Sequence, residues 1–221
     1  MHKKTKEDLN LNNGWRIGED SFTAVVKLFS SISPKVIVEF GAGASSIRLA
    51  QEFPDAEIIS IDHDQEYIKE SINLQQEYSV ENLKILYRPI RWQIHGGGIF
   101  QCYVQEELPA SIDAVIIDGP PYFVHLGREA CFHQIVQKVS NTGIVVLDDC
   151  NRTSERRAVA NWLESYPESF DRNNILVGHG LCALVKKGEA KYRVKWRVLG
   201  LNYRSFAGLL KRCLLEKLSS H

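Results

Sequence analysis

Five carboxylates in this chain close apolar runs: Glu39, Asp62, Asp118 and the Asp148-Asp149 pair. The first sits in Val36-Ile-Val-Glu-Phe-Gly-Ala-Gly-Ala-Ser-Ser-Ile-Arg-Leu-Ala50, where an apolar strand run meets a Gly-x-Gly turn, Gly41 and Gly43, and then a helical pattern. Turns of this kind that bind phosphate leave the helix N-terminus open for an anion. A carboxylate two residues before the first glycine suits instead a ligand with a cationic end. The two glycines are expected to let backbone pass close to the ligand and to take positive φ.

Asp62 follows Gly41 by 21 residues, a position from which a carboxylate accepts hydrogen bonds from both ribose hydroxyls. Nicotinamide dinucleotide folds use the same device, so Asp62 alone does not name the cofactor. Taken with Glu39 it favours S-adenosylmethionine, which carries an ammonium and a sulfonium and no phosphate. His63 is a candidate lining residue of the adenine pocket, and Asp64 reads as the N-cap of the next helix.

Asp118 ends the run Ile112–Asp118 and is followed by Gly119-Pro120-Pro121, a turn stiffened because each proline fixes φ. A carboxylate on a rigid turn beside a cofactor suits a general base or a metal ligand. Asp118, Asp148 and Asp149 together have the oxygen donors that a hard divalent cation such as Mg2+ prefers. The alternative is that these acids accept hydrogen bonds from Arg152, Arg156 or backbone N–H groups. Asp149 and His125 are further candidates for the catalytic base. His95, beside three glycines, suits a mobile lid, and Arg152 suits either an anionic substrate group or an ion pair with the acids.

These residues need a scaffold, and the apolar periodicity supplies one. Helices are expected over 19–32, 45–53 and 65–78, with further helices marked by Phe132, Ile135, Val136 and Val139, and by Val159, Trp162, Leu163 and Tyr166. Strands are expected over 35–40, 57–62, 83–88, 112–118 and 143–149. Buried strand runs alternating with helices mean a mostly parallel sheet covered on both faces. The runs 170–177 and 181–187 are joined by Gly178-His179-Gly180, too short for a parallel crossover, so they form an antiparallel hairpin. Residues 89–110 read as irregular, 188–205 as a basic linker, and Phe206, Leu209, Leu210, Cys213 and Leu214 as the stripe of a final helix.

The 221 residues suffice for one α/β domain: an arm over 1–14, a core over 15–187 and a C-terminal segment over 188–221. Net charge is zero, yet residues 186–221 hold ten Lys/Arg against two Glu, a net of +8. A basic tail with apolar residues is expected to pack on its own domain, to dimerise, or to contact a membrane surface as an interfacial helix. No recognised module accompanies this charge, which argues against nucleic acid. Five cysteines without a CxxC pair read as reduced thiols of a cytoplasmic protein, and no run is long enough for a membrane span.

With these residues in place, the chain resembles class I S-adenosylmethionine-dependent methyltransferases over about 35–187. Gly-Ala-Gly-Ala-Ser-Ser, Ile-Asp-Gly-Pro-Pro and Leu-Asp-Asp-Cys-Asn-Arg are similar to a bacterial small-domain family related to glucuronoxylan and catechol-type O-methyltransferases. The resemblance implies a Rossmann-like sheet of seven strands in the order 3-2-1-4-5-7-6. It also implies cofactor contacts at Glu39, Gly41, Gly43, Ser45, Asp62, His63 and Asp118, with Glu39 toward the methionine end. The substrate implied is a small hydroxylated or sugar molecule, methylated on oxygen. Ser45 stands where the pattern usually has a third glycine, and its hydroxyl is expected to cap the following helix. Arg88 replaces the acid or amide that often meets adenine. The competing readings are an NAD-dependent oxidoreductase and a catalytically silent cofactor-binding subunit that docks through its basic tail.

Overall fold

Continuous Val/Ile/Leu runs, buried on both faces, build the centre of the molecule. The structure is a computed structural model that describes residues 17–219; the expected arm over 1–14 lies outside the described residues. In chain order the elements are α1 (Glu19–Ser30), β1 (Val36–Phe40), α2 (Ala44–Glu52), β2 (Glu57–Asp62), α3 (Gln65–Glu77), β3 (Leu83–Tyr87), β4 (Ile90–His95), β5 (Gly98–Tyr103) and β6 (Ile112–Ile117). They continue with α4 (Gly127–Ile135), β7 (Val139–Leu147), α5 (Thr153–Ser165), β8 (Phe170–Ile175), β9 (Leu181–Lys186) and α6 (Trp196–Ser219).

Seven strands form one sheet in the order β3-β2-β1-β6-β7-β9-β8, with β4 and β5 as a separate pair. Without that pair in the count, the order is the expected 3-2-1-4-5-7-6. Pairing is parallel from β3 to β7, and β9 runs antiparallel to both β7 and β8. Side-chain alternation along each strand divides the core. Val38, Phe40, Val115, Ile117, Val145 and Leu147 face α4 and α5, while Ile37, Ile58, Ala114, Ile116, Ile144 and Val146 face α1, α2 and α3. Phe132 stacks on Trp162 at 4.5 Å and 16°, which ties α4 to α5.

Three local expectations are corrected. Residues 90–103 are not irregular: β4 and β5 pair antiparallel from Ile90↔Tyr103 to His95↔Gly98. Gly96 and Gly97, with φ of +55° and +83°, make the two-residue turn that needs positive φ at both positions. His95 therefore sits in this ribbon, its Nε2 3.5 Å from Cys102 Sγ, rather than on a lid. Val139 belongs to β7, where it pairs with Ile112, and not to the preceding helix. The final helix begins at Trp196, ten residues before the expected stripe, because Val198 and Asn202 are buried against the body.

The α6 helix and the ribbon hold each other. Asn202 accepts from the Ile99 N–H at 2.8 Å and donates to the Ile99 carbonyl at 3.1 Å. Tyr203 donates to the Gly97 carbonyl at 2.8 Å, and Tyr192 donates to that of Gly96 at 2.6 Å. A side chain at Gly98 would meet Asn202 at 3.1 Å. Toward its end α6 shows apolar residues to solvent: Leu210, Leu214, Leu215 and Leu218 are all exposed. Among the described residues no helix is long and apolar enough to cross a membrane.

Candidate active site

The ends of β1 and β2 shape one wall of the site. Glu39 is 1 % exposed and points behind the glycine turn. Its Oε1 accepts from Ser45 Oγ at 2.6 Å, and its Oε2 accepts from Ser60 Oγ at 2.6 Å and from Ser46 Oγ. Burial pushes the Glu39 carboxyl up to about 7, against the lowering effect of the three hydroxyls. Serine hydroxyls are good donors but bring no charge, so they offset only part of the desolvation. Ser45 thus bonds to Glu39 rather than capping the helix; the residue at the cap is Gly43, whose N–H donates to Ser46 Oγ at 3.1 Å.

Gly41 has φ +108°, and a Cβ there would stand 3.1 Å from the Gly119 nitrogen, so two loops meet where only glycine fits. Gly43 is extended at φ 174°, not in the positive region expected. Nothing lies where its Cβ would be, so its contribution is open space. Asp62 is fixed by three backbone donors: Ala42 N–H to Oδ2 at 3.1 Å, and His63 and Asp64 N–H to Oδ1 at 2.6 and 2.9 Å. His63 Nδ1 lies 3.2 Å from the same Oδ1. Asp64 is the N-cap of α3, accepting from Glu66 and Tyr67 N–H.

The ends of β6 and β7 shape the opposite wall. Asp118, Asp148 and Asp149 offer oxygens that all lie within 4.8 Å of one another. Arg128, from α4, reaches between them: Nη2 is 3.2 Å from Asp118 Oδ1 and Nη1 3.0 Å from Asp149 Oδ2. Arg152 adds a 2.9 Å contact to Asp149 Oδ2, so that arginine pairs with the acids as one of its two readings had it. Burial raises the Asp118 carboxyl, Arg128 pulls it back and Asp149 pushes it up again. Burial, with Asp118 next, pushes Asp148 up to about 7, and its Oδ1 has no hydrogen-bond partner among the described residues.

Between the walls lies a cleft of about 460 Å³ whose lining includes Gly41, Gly43, Ser45, Asp62, His63 and Asp118. Six of the seven residues expected at the cofactor come together there, and Glu39 stands behind them. Tyr103, at the end of β5, also lines it. Its ring stacks on Phe40 at 5.7 Å, and its hydroxyl is buried without a partner among the described residues. A second cavity of about 440 Å³ is enclosed by the loop after β6 and by α4, α5 and α6, and shares Pro121, Phe123 and Arg128 with the cleft. His125 lines this second cavity and not the cofactor cleft, its ring packed beside Trp92 at 5.7 Å. Burial, with Arg157 and Arg212 next, lowers its pKa.

Ser46, Ser60, Tyr103 and Arg128 were not legible as site residues. Ser60 reaches Glu39 only through the β1–β2 register, Glu39↔Ser60. Tyr103 depends on the ribbon. Arg88, where an adenine contact was sought, is 1 % exposed and donates to the Glu107 carbonyl at 3.0 Å, so it pins the following loop instead.

Solved structures share this architecture. A Podospora anserina methyltransferase with bound S-adenosylhomocysteine matches at TM-score 0.59 and 16% identity, over 76% of this chain and 78% of that one. A precorrin-6y C5,15-methyltransferase from Geobacter metallireducens matches at TM-score 0.61 and 13% identity, over 82% and 95%. A Klebsiella pneumoniae protein assigned as an O-methyltransferase matches at TM-score 0.58 and 13% identity, over 82% and 84%. At such identities the likeness concerns the fold. The sequence model of the methyltransferase domain family matches residues 38–150, which run from the Glu39 turn to the acidic pair. The chain belongs to that family and is an S-adenosylmethionine-dependent methyltransferase.

Proposed function

We propose that the enzyme methylates an oxygen of a small hydroxylated molecule, sugars being the class that the motif resemblance suggests. The observation that carries this reading is the junction of the two cavities at Pro121, Phe123 and Arg128, with Asp118 on the cleft side and paired to Arg128. In this reading the cleft takes the cofactor and the second cavity the acceptor. Bound in the cleft, S-adenosylmethionine supplies an electrophilic methyl on its sulfonium. Asp62 accepts from the ribose hydroxyls, His63 and Tyr103 border the nucleoside, and the Gly41–Gly43 backbone allows close approach. Glu39 acts from behind, holding the turn in shape through its serines. Asp118, on the rigid Gly119-Pro120-Pro121 turn, takes the proton of the acceptor hydroxyl as general base. Much of the remaining rate enhancement comes from holding the two reactants in line.

Calorimetric titration with S-adenosylhomocysteine tests the cofactor site, and micromolar binding is expected. Methyl transfer to a panel of sugars, uronates, catechols and amines, read by product mass, tests the acceptor class. Transfer only to amines would sink the oxygen assignment.

A separate observation bears on partners. Leu210, Leu214 and Leu218 recur every four residues on α6, are exposed, and are interspersed with Lys211, Arg212 and Lys217. That pattern supports peripheral contact with an anionic membrane surface. Absence of co-sedimentation with phosphatidylglycerol vesicles removes this reading.

A further inference from the structure

The acidic cluster has the size and the oxygen donors of a hard-cation site, but a cation of the protein's own already lies within it. The fork of Arg128 is split between Asp118 and Asp149. Its Nη1 also donates to the Asp148 carbonyl at 3.4 Å, and its Nε to the Pro120 carbonyl at 3.2 Å. Its side chain is 10 % exposed and that of Asp149 is 9 %. Two carboxylates and two carbonyls therefore hold the guanidinium, and no surface position is available to it without breaking all four contacts.

A divalent ion bound by Asp118 and Asp149 would share their oxygens with this fixed charge and with Arg152. Repulsion between like charges is strong where water is largely excluded. The guanidinium, unlike a hydrated ammonium, suits such a buried, multiply bonded place. It also borders both the cofactor cleft and the second cavity, where negative charge gathers as the acceptor hydroxyl loses its proton.

We propose that Arg128 occupies the place of a divalent cation, so that the acidic cluster is an arginine-filled ion-pair centre and the methyl transfer needs no metal. Arg128 is then a positioning residue: it borders both cavities and holds Asp118 in register on the cleft side. The inference rests on the methyltransferase reading of this site.

The test is calorimetric titration of the full chain with Mn2+ and, separately, with S-adenosylhomocysteine with and without a chelator. It is run on the wild type, Arg128→Met and Arg128→Lys. The wild type is expected to show no saturable Mn2+ binding below the millimolar range, and its S-adenosylhomocysteine affinity should be indifferent to the chelator. Arg128→Met removes the guanidinium from Asp118 and Asp149, leaving Arg152 on Asp149, and should gain one Mn2+ site about tenfold or more tighter than any in the wild type. Arg128→Lys keeps the charge and should gain less. A micromolar Mn2+ site in the wild type overturns the proposal, as does a folded Arg128→Met that gains none. The wild-type titration needs no variant, so it decides the matter even if Arg128→Met does not fold. Failure to bind S-adenosylhomocysteine would instead strike the site's cofactor assignment, whatever the Mn2+ result.

Discussion

Glu39 and Asp149 stand at the ends of neighbouring parts of one sheet, both buried, yet their partners differ in kind. Glu39 is held by three hydroxyls, and Asp149 by two guanidiniums. Hydroxyls fix the direction of a carboxylate without countering its charge, so the Glu39 carboxyl keeps its proton up to about 7. Guanidiniums fix the direction and also bring a counter-charge. The first arrangement shapes a turn, and the second shapes a field at the point where two cavities meet. Burial alone does not reveal the task of a strand-end acid; the chemical type of its partner does.

The largest test of that contrast is removal of a charged partner. Arg128→Met leaves Asp118 and Asp149 short of a counter-charge in a largely dry site and should cost about 3–5 kcal/mol of stability, read by urea unfolding in chelator-containing buffer. A loss below about 1 kcal/mol would show that the arginine is not holding the cluster.

The hydroxyl-bound acid should instead reveal itself through pH. Folded Glu39 keeps its proton up to about 7, whereas unfolded glutamate loses it near 4.5. The folded chain therefore binds more protons between those values, and stability falls as pH rises through that window. Glu39→Gln should remove roughly 3 kcal/mol of that fall, measured by urea unfolding at pH 5 and pH 7.5. An unchanged pH slope would mean that the hydroxyls offset the burial fully.

Smaller effects separate fixed from waiting groups in the cleft. Asp62→Ala should weaken S-adenosylhomocysteine binding by about 1.5–3 kcal/mol, by calorimetry; unchanged affinity ends the ribose assignment. Tyr103→Phe should weaken it by about 0.5–1.5 kcal/mol while leaving the free protein's stability intact, because the hydroxyl has no partner to lose. A stability loss without a binding loss would reverse that reading.

Much of this was written plainly in the chain. The parallel strands showed as continuous apolar runs such as Ala114–Ile117, and the acids at their ends marked the ligand edge because open α/β sheets place ligands there. Gly41 was legible for the same reason. The ribbon was missed although its signal was present: Ile90, Trp92 and Ile94 alternate ahead of Gly96-Gly97, a two-residue hairpin signature that three successive glycines disguised as loop. Arg128 left no such mark. An arginine ten residues beyond Asp118 reads as surface until the fold turns α4 back over the acids. Ser46 and Ser60 are equally anonymous, since short hydroxyl side chains become acceptor-seeking donors only once Glu39 is buried beside them.

The clasp between Asn202 and Ile99 spans 103 positions of sequence, and that separation matters while the protein is being made. At synthesis rates of roughly 5–20 residues per second, the ribbon leaves the ribosome about 5–20 s before the helix that closes on it. During that interval the backbone groups of Ile99 have no Asn202 to answer them, and Trp92 lacks the ring of Phe206 that packs against it at 5.2 Å. The helix translated later thus completes the flank of the enzyme. A nascent chain halted near residue 190 would present an open strand edge to its neighbours, a natural target for chaperones and the first place where crowded ribosomes would stick together.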